Sequence, residues 1–162
     1  MQLRVREAGP EDHTAISVLL VSAFGQPNEA RLIEALRHSG HTAVELVAET
    51  EGGVAGHICL SRMEAPPGWL TLAPVAVRPP DQGKGIGGEL IRHALDHARQ
   101  RRARAVVVVG DPSYYHRFGF VFGGAAELTT PYPVEYTGLY PIDPATARAR
   151  VALAYPVAFE RA

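Results

Sequence analysis

The chain has 162 residues, 46% of them hydrophobic, which is enough for one domain spanning 1–162 with a core that needs neither disulfide nor metal. Lysine and arginine total 16 against 17 acidic residues, so no general nucleic-acid partner is expected, since such proteins gather basic charge on one face. Cys59, the one cysteine, excludes an internal disulfide and any Cys-x-x-Cys metal or redox site and fits a reducing compartment.

The N-terminus lacks the apolar core of a signal peptide, and no run approaches the ~18 apolar residues that cross a bilayer. The chain is therefore predicted to be cytoplasmic, with no membrane partner. Leu3 and Val5 alternate with charged residues as in a half-buried strand, and Gly9-Pro10-Glu11-Asp12 then forms a turn whose Asp12 suits the N-cap of a helix. Helical spacing follows at Ile16, Leu19, Leu20 and Ala23, and again at Ala30, Ile33 and Leu36. Val44–Ala48 and Val54–Leu60 flank Glu51-Gly52-Gly53 as an antiparallel hairpin, and Trp69–Val77 supplies a third strand after Pro66-Pro67-Gly68.

Beyond Val77 the pattern changes. Arg78-Pro79-Pro80-Asp81 breaks the strand, and Ile86, Leu90, Ile91, Ala94, Leu95 and Ala98 then trace one face of a helix. Ala105–Val109 is almost wholly apolar, so both its faces are expected to be covered and it should lie centrally beside the preceding strand. The proline-rich C-terminal third is expected to be loops with a closing strand near Arg150–Phe159, which in a dimer would be free to pair across two copies. The fold class is α/β (α+β), a mixed, twisted central sheet flanked by helices.

The chemistry concentrates at Gln82-Gly83-Lys84-Gly85-Ile86-Gly87-Gly88, directly before the amphipathic helix. Four glycines let an anion approach the main chain, and the N–H groups opening the helix converge on it with the positive end of the dipole. The stretch also matches Gly-x-Gly-x-x-Gly, but five residues separate it from its strand and the parallel repeats of a dinucleotide fold do not follow. Lys84 precedes Gly85 rather than serine or threonine, so it is not a nucleotide-hydrolysing loop. His93 and His97 stand at i, i+4 but lack the Glu and third ligand of a zinc site, so no metal is expected.

Three segments together resemble the GNAT N-acetyltransferases. Gln82, Gly85 and Gly87 match the family's Gln/Arg-x-x-Gly-x-Gly/Ala signature. Val75-Ala76-Val77-Arg78-Pro79 is similar to its preceding strand, and Tyr115-His116-Arg117-Phe118-Gly119-Phe120 to its Tyr-x-x-x-Gly-Phe element. Gly110-Asp111-Pro112-Ser113-Tyr114-Tyr115 further resembles a bacterial subgroup labelled YhbS-like.

The resemblance implies an N-acetyltransferase fold with acetyl-CoA as cosubstrate and a small-molecule or protein amine as acceptor. It implies a pyrophosphate on the amides of Gly83, Lys84, Gly85, Ile86, Gly87 and Gly88. The pantetheine arm would run along Val75, Ala76 and Val77, with the thioester carbonyl held by the N–H of Val77 or Ala76. Tyr115 would protonate the departing thiolate, with Tyr114 as the neighbouring alternative, and Asp111 or Ser113 stands where the family often has asparagine. The family motifs fix no base, leaving Glu64, His57 and Glu49 as candidates, and Cys59 reads as a buried structural thiol. Tyr132, Tyr136 and Tyr140 either line an acceptor pocket or pack on their own sheet. The same loop without a working Tyr115 would suit a non-catalytic acyl-CoA sensor.

Overall fold

In the computed structural model, which describes residues 2–162, the periodicities become eight strands and four α-helices among the described residues. In chain order they are β1 (Arg4–Glu7), α1 (His13–Phe24), α2 (Asn28–His38), β2 (Thr42–Thr50), β3 (Gly53–Arg62), β4 (Trp69–Val77), α3 (Ile86–Gln100), β5 (Ala105–Val109), α4 (Pro112–Tyr115), β6 (Glu127–Thr129), β7 (Thr137–Pro141) and β8 (Arg150–Ala152).

A six-stranded sheet runs β1-β2-β3-β4-β5-β7, antiparallel throughout except where β4 meets β5. The apolar β5 is indeed interior, between β4 and β7. The expected closing strand is corrected. Only Arg150–Ala152 forms a strand there, pairing with β6 in a separate two-stranded sheet, Ala154 adds an isolated bridge to Ala65, and Val157–Arg161 forms a 3-10 turn. The main sheet is closed instead by Thr137–Pro141, from the stretch read as loops; Pro141 ends that strand, where a missing N–H interrupts no further pairing. Asp12 stands at the N-cap of α1, as expected, but without a side-chain cap bond. Its side chain instead accepts from Gly9 N–H at 2.8 Å and from Arg6 at 2.8 and 2.9 Å, tying β1 to the turn.

Strand alternation sends successive residues to opposite faces. Leu46, Ile58, Leu60 and Leu72 pack with Leu90 and Ile91 of α3, while Val47, Cys59 and Ala76 pack with Ile16, Leu20, Ile33 and Leu36 of α1 and α2. The helix α3 lies so close to β3 that a Cβ on Gly56 would stand 2.8 Å from Leu90 Cδ1 and 3.1 Å from Ile86 Cγ2.

One register feature shapes β4. Ile58 faces Val75 and Leu60 faces Leu72, so two steps of β3 span three of β4 and the extra residue falls at Ala73-Pro74. Such a bulge bends the strand that carries it. Accordingly β4 pairs with β5 only through Trp69, Leu70 and Thr71, opposite Ala105, Val106 and Val107. Beyond Thr71 the strands diverge, and Val108 and Val109 retain β7 as partner while the rest of β4 retains β3.

A polar cluster is buried on the α1/α2 face. The fully buried His57 places Nε2 2.8 Å from Glu45 Oε2, and Arg37 donates to both Glu45 oxygens at 3.1 and 2.6 Å. Burial alone would raise the Glu45 pKa, but hydrogen bonds from His57 and Arg37 outweigh it and bring the carboxyl down to about 2. The carboxylate therefore accepts the Nε2 proton of His57, and burial holds that ring's pKa below its ordinary 6.5 despite Glu45.

Both shifts make the unfolded chain the stronger proton binder. As pH falls below 6.5 the unfolded state protonates His57 first, and below 4.5 it protonates Glu45 first, so stability drops in two stages on acidification. Thermal unfolding followed by circular dichroism at pH 7.5, 6.0 and 5.0 should show the melting point of the wild type falling over this range. His57→Gln, which keeps a donor for Glu45 but cannot titrate, should flatten the profile; an unchanged slope would show that His57 does not govern it.

Candidate active site

The end of β4 is joined to α3 by a tightly braced loop. Pro79–Asp81 forms a 3-10 turn in which Arg78 Nε donates to Asp81 at 2.7 Å, and Lys84 Nζ reaches the same carboxylate at 3.5 Å. Lys84 is thus drawn toward Asp81 rather than over the helix. Gln82 Nε2 donates to the carbonyl of Val77 at 3.0 Å, fastening the loop to the last residue of β4.

Gly83 and Gly85 have φ of +79° and +85°, a region costly for other residues by ~1–2 kcal/mol. No heavy atom lies within 4 Å of where their Cβ atoms would be, so their side-chain directions open onto free space. Gly85 occupies the N-cap of α3 and offers no side chain to cap it; Glu89 N–H bonds Gly85 O at 3.1 Å. The preceding N–H groups of Ile86, Gly87 and Gly88 have no carbonyl within the helix to bond, and they form the anion-receptive end.

This end opens onto a cleft of about 440 Å³ bounded by Val77, Gln82, Gly85, Gly87, Tyr114 and Phe118. Backbone orientation along β4 is set by Arg78 N–H, which bonds Ala55 O at 2.7 Å. By strand alternation Ala76 also points its amide toward β3, whereas Val75 and Val77 point theirs to the edge that diverges from β5. Of the two amides expected to hold a carbonyl, that of Val77 is the one on the diverging edge.

The two adjacent tyrosines occupy different places. Tyr114 turns its hydroxyl toward Gly87, 3.4 Å from that residue's ideal Cβ, and lines the cleft. Tyr115 packs over Gly110, where a Cβ would stand 2.5 Å from its ring, and meets Phe120 edge-on at 5.7 Å. Burial, with Tyr114 adding to it, pushes the Tyr115 phenol up to about 12, so it stays protonated at neutral pH. Asp111 Oδ1 accepts from Ser113 N–H at 3.0 Å and Ser113 Oγ at 2.9 Å, which assigns both residues to capping α4.

The other sequence candidates lie apart from the cleft. Glu49 pairs with Arg6 at 3.0 Å, Glu64 with His41, and His57 with Glu45. Cys59 is buried, with its pKa pushed up to about 12 by burial, as suits a structural thiol. His93 and His97 pair loosely with Glu89 and Glu7, at 3.7 and 4.0 Å, and no cluster of metal-ligating residues is found among the described residues. Tyr132 packs on Tyr155, Tyr140 packs on Phe120 and bonds Arg99, and Tyr136 is half exposed, so the three tyrosines do not share a pocket wall. Arg92, Arg117 and Phe118 line the cleft but were not singled out by the sequence. The i, i+4 step from Gly88 to Arg92, one helical turn on the same face, is the signal that could have found the first of them.

The arrangement has close counterparts. Residues 11–120 match the model of the acetyltransferase (GNAT) family. The uncharacterized N-acetyltransferase YhbS of Escherichia coli strain K12 is 33% identical over 133 residues, covering 80% of each chain. A crystal structure of E. coli YhbS in complex with CoA superposes with a TM-score of 0.90 at 28% identity, covering 99% of this chain and 93% of that one. A GNAT acetyltransferase from Brucella melitensis, in complex with acetyl-CoA, gives 0.83 at 33% identity over 98% of both chains. With its mixed sheet, its β4–β5 divergence and its glycine loop at α3, this chain belongs to the GNAT acetyltransferase family.

Proposed function

We propose that the protein transfers the acetyl group of acetyl-CoA to a primary amine, on a small molecule or a protein, by direct attack within a ternary complex. The observation that carries this reading is the meeting, in one place, of uncapped N–H groups at the start of α3 and a diverging strand edge on β4. The first suits a pyrophosphate and the second suits an amide-bearing arm that adds to the sheet like a short strand. The glycine surfaces fit such a ligand, since Cβ atoms at Gly83 and Gly85 would occupy the space through which phosphate oxygens approach. The two crystal complexes with CoA and acetyl-CoA support the choice of ligand.

In this reading the amine nitrogen forms a bond to the thioester carbon while the carbon–sulfur bond breaks. The N–H of Val77 holds the developing oxyanion, a role in which a fixed backbone donor needs no reorganisation. Tyr115, the tyrosine that matches the family element, donates its phenolic proton or a hydrogen bond to the leaving sulfur, with Tyr114, whose hydroxyl lines the cleft, as the alternative donor. The amine proton leaves to a base or to solvent, while His57, Glu49 and Glu64 are each engaged in pairs away from the cleft.

Gly85→Val should weaken acetyl-CoA binding by about 100-fold or more, through strain at positive φ and loss of the N–H cradle. Calorimetric titration would measure this, and binding at wild-type strength would remove the loop from the site. Tyr115→Phe should lower kcat by about 10- to 100-fold on a responsive amine while leaving the acetyl-CoA dissociation constant within about threefold. Undiminished turnover would assign the proton donor to another group.

A further inference from the structure

The cleft at α3 carries more positive charge than its loop amides. Among its lining residues are Arg92 and Arg117, and each guanidinium lies over an aromatic ring. Arg92 sits 5.1 Å from the centroid of Phe118, and Arg117 sits 4.9 Å from that of Tyr114. The two rings themselves meet edge-on at 5.3 Å, so the stacks share one aromatic platform. Stacking uses the flat face of a guanidinium and leaves the N–H donors on its rim available.

Neither arginine is neutralised by a tightly bonded carboxylate. The nearest acid to Arg92 is Glu89, at 3.7 Å, beyond hydrogen-bond length. Arg117 takes part in no ion pair among the described residues. Their position is also informative. Arg92 follows Gly88 by one turn of α3, about 5.4 Å along the helix, and its Nη1 comes within 3.3 Å of the ideal Gly88 Cβ. A cation thus stands at the edge of the amide cradle, and a second lines the same cleft from the turn after α4.

We infer that Arg92 and Arg117 form a second anion subsite that takes the ribose 3′-phosphate of CoA, and that they make the protein select the phosphorylated carrier over its dephosphorylated form. The inference rests on the acyl-CoA reading above. A CoA ester brings three phosphate groups, of which two are joined as the pyrophosphate that suits the loop amides. The third is a separate dianion one sugar ring away, and uncompensated charge of that kind is matched by guanidinium forks. Lys84, held toward Asp81, is not among the residues lining the cleft, whereas the two arginines are.

The test is calorimetric titration with CoA and with 3′-dephospho-CoA, which keeps the adenine, ribose and pyrophosphate, on the wild type and on Arg92→Gln/Arg117→Gln. The wild type should bind CoA about tenfold or more tightly than dephospho-CoA, a preference that shrinks as salt is raised. The double variant should bind both ligands alike, at the affinity the wild type has for dephospho-CoA. Equal binding of the two ligands by the wild type, or a preference that survives in the double variant, would overturn the inference and leave the transferase reading standing. Equal losses for both ligands in the double variant would overturn it in favour of contacts to the pyrophosphate or adenine. A wild type that binds neither ligand would overturn the acyl-CoA reading and the inference together.

Discussion

Strand β4 keeps company with β5 for three residues and then parts from it, and the cleft beside the glycine loop reaches the end of β4 beyond that point. Backbone amides and carbonyls inside a protein need partners, so a strand edge opened within a sheet is costly unless something fills it. The opening traces to the extra residue at Ala73-Pro74, where β4 gains a step on β3 and bends. The chain keeps this bend while both faces of the surrounding sheet are packed, Leu72 and Val75 under α3 and Ala76 under α1. The bend sets the direction of Val77, and through Gln82 it sets the glycine loop as well.

The two faces of the sheet are held by different means. On the α3 side the packing is apolar and tight enough to require glycine at position 56. On the α1/α2 side the apolar packing of Ile16, Leu20 and Ile33 is interrupted by His57, Glu45 and Arg37. A buried cluster of this kind adds little net energy when complete and is costly when broken. Its contribution is directional, because Arg37 on α2 meets one carboxylate on β2 that also meets an imidazole on β3.

Much of the fold was legible because its periodicities are clean. The face of α3 through Ile86, Leu90, Ile91, Ala94 and Leu95, and the unbroken apolar run of β5, each admit one reading. The glycine cluster was legible for a related reason, since Gly83 and Gly85 before an amphipathic helix and Gly87 and Gly88 in its first turn exceed what a turn requires. What escaped was structure decided by distant partners. Thr137–Pro141 is a strand because β5 offers it an edge, and its terminal proline and short length gave no local sign of that. Asp12 does occupy the N-cap of α1, but that its carboxylate would go to Arg6 of β1 and the Gly9 amide instead of the helix was not readable locally. The separation of Tyr114 from Tyr115 follows from the turn of α4 over Gly110, a matter of direction that adjacent letters do not encode. Arg92 and Arg117 lie apart in sequence and come to line one cleft over the adjoining rings of Phe118 and Tyr114.

The bond from Gln82 to the Val77 carbonyl has a consequence for any extended ligand that touches both the loop and the strand. Two weak handholds on independently moving segments would each have to be found anew. Fastened together, they stand at a fixed spacing, and capture of one end raises the effective concentration of the other at its own site. Linkage of this kind can strengthen binding by about 10²- to 10⁴-fold without a new contact. The side-chain amide of one glutamine thereby acts as a spacer bar, holding the glycine loop and the end of β4 as a single unit.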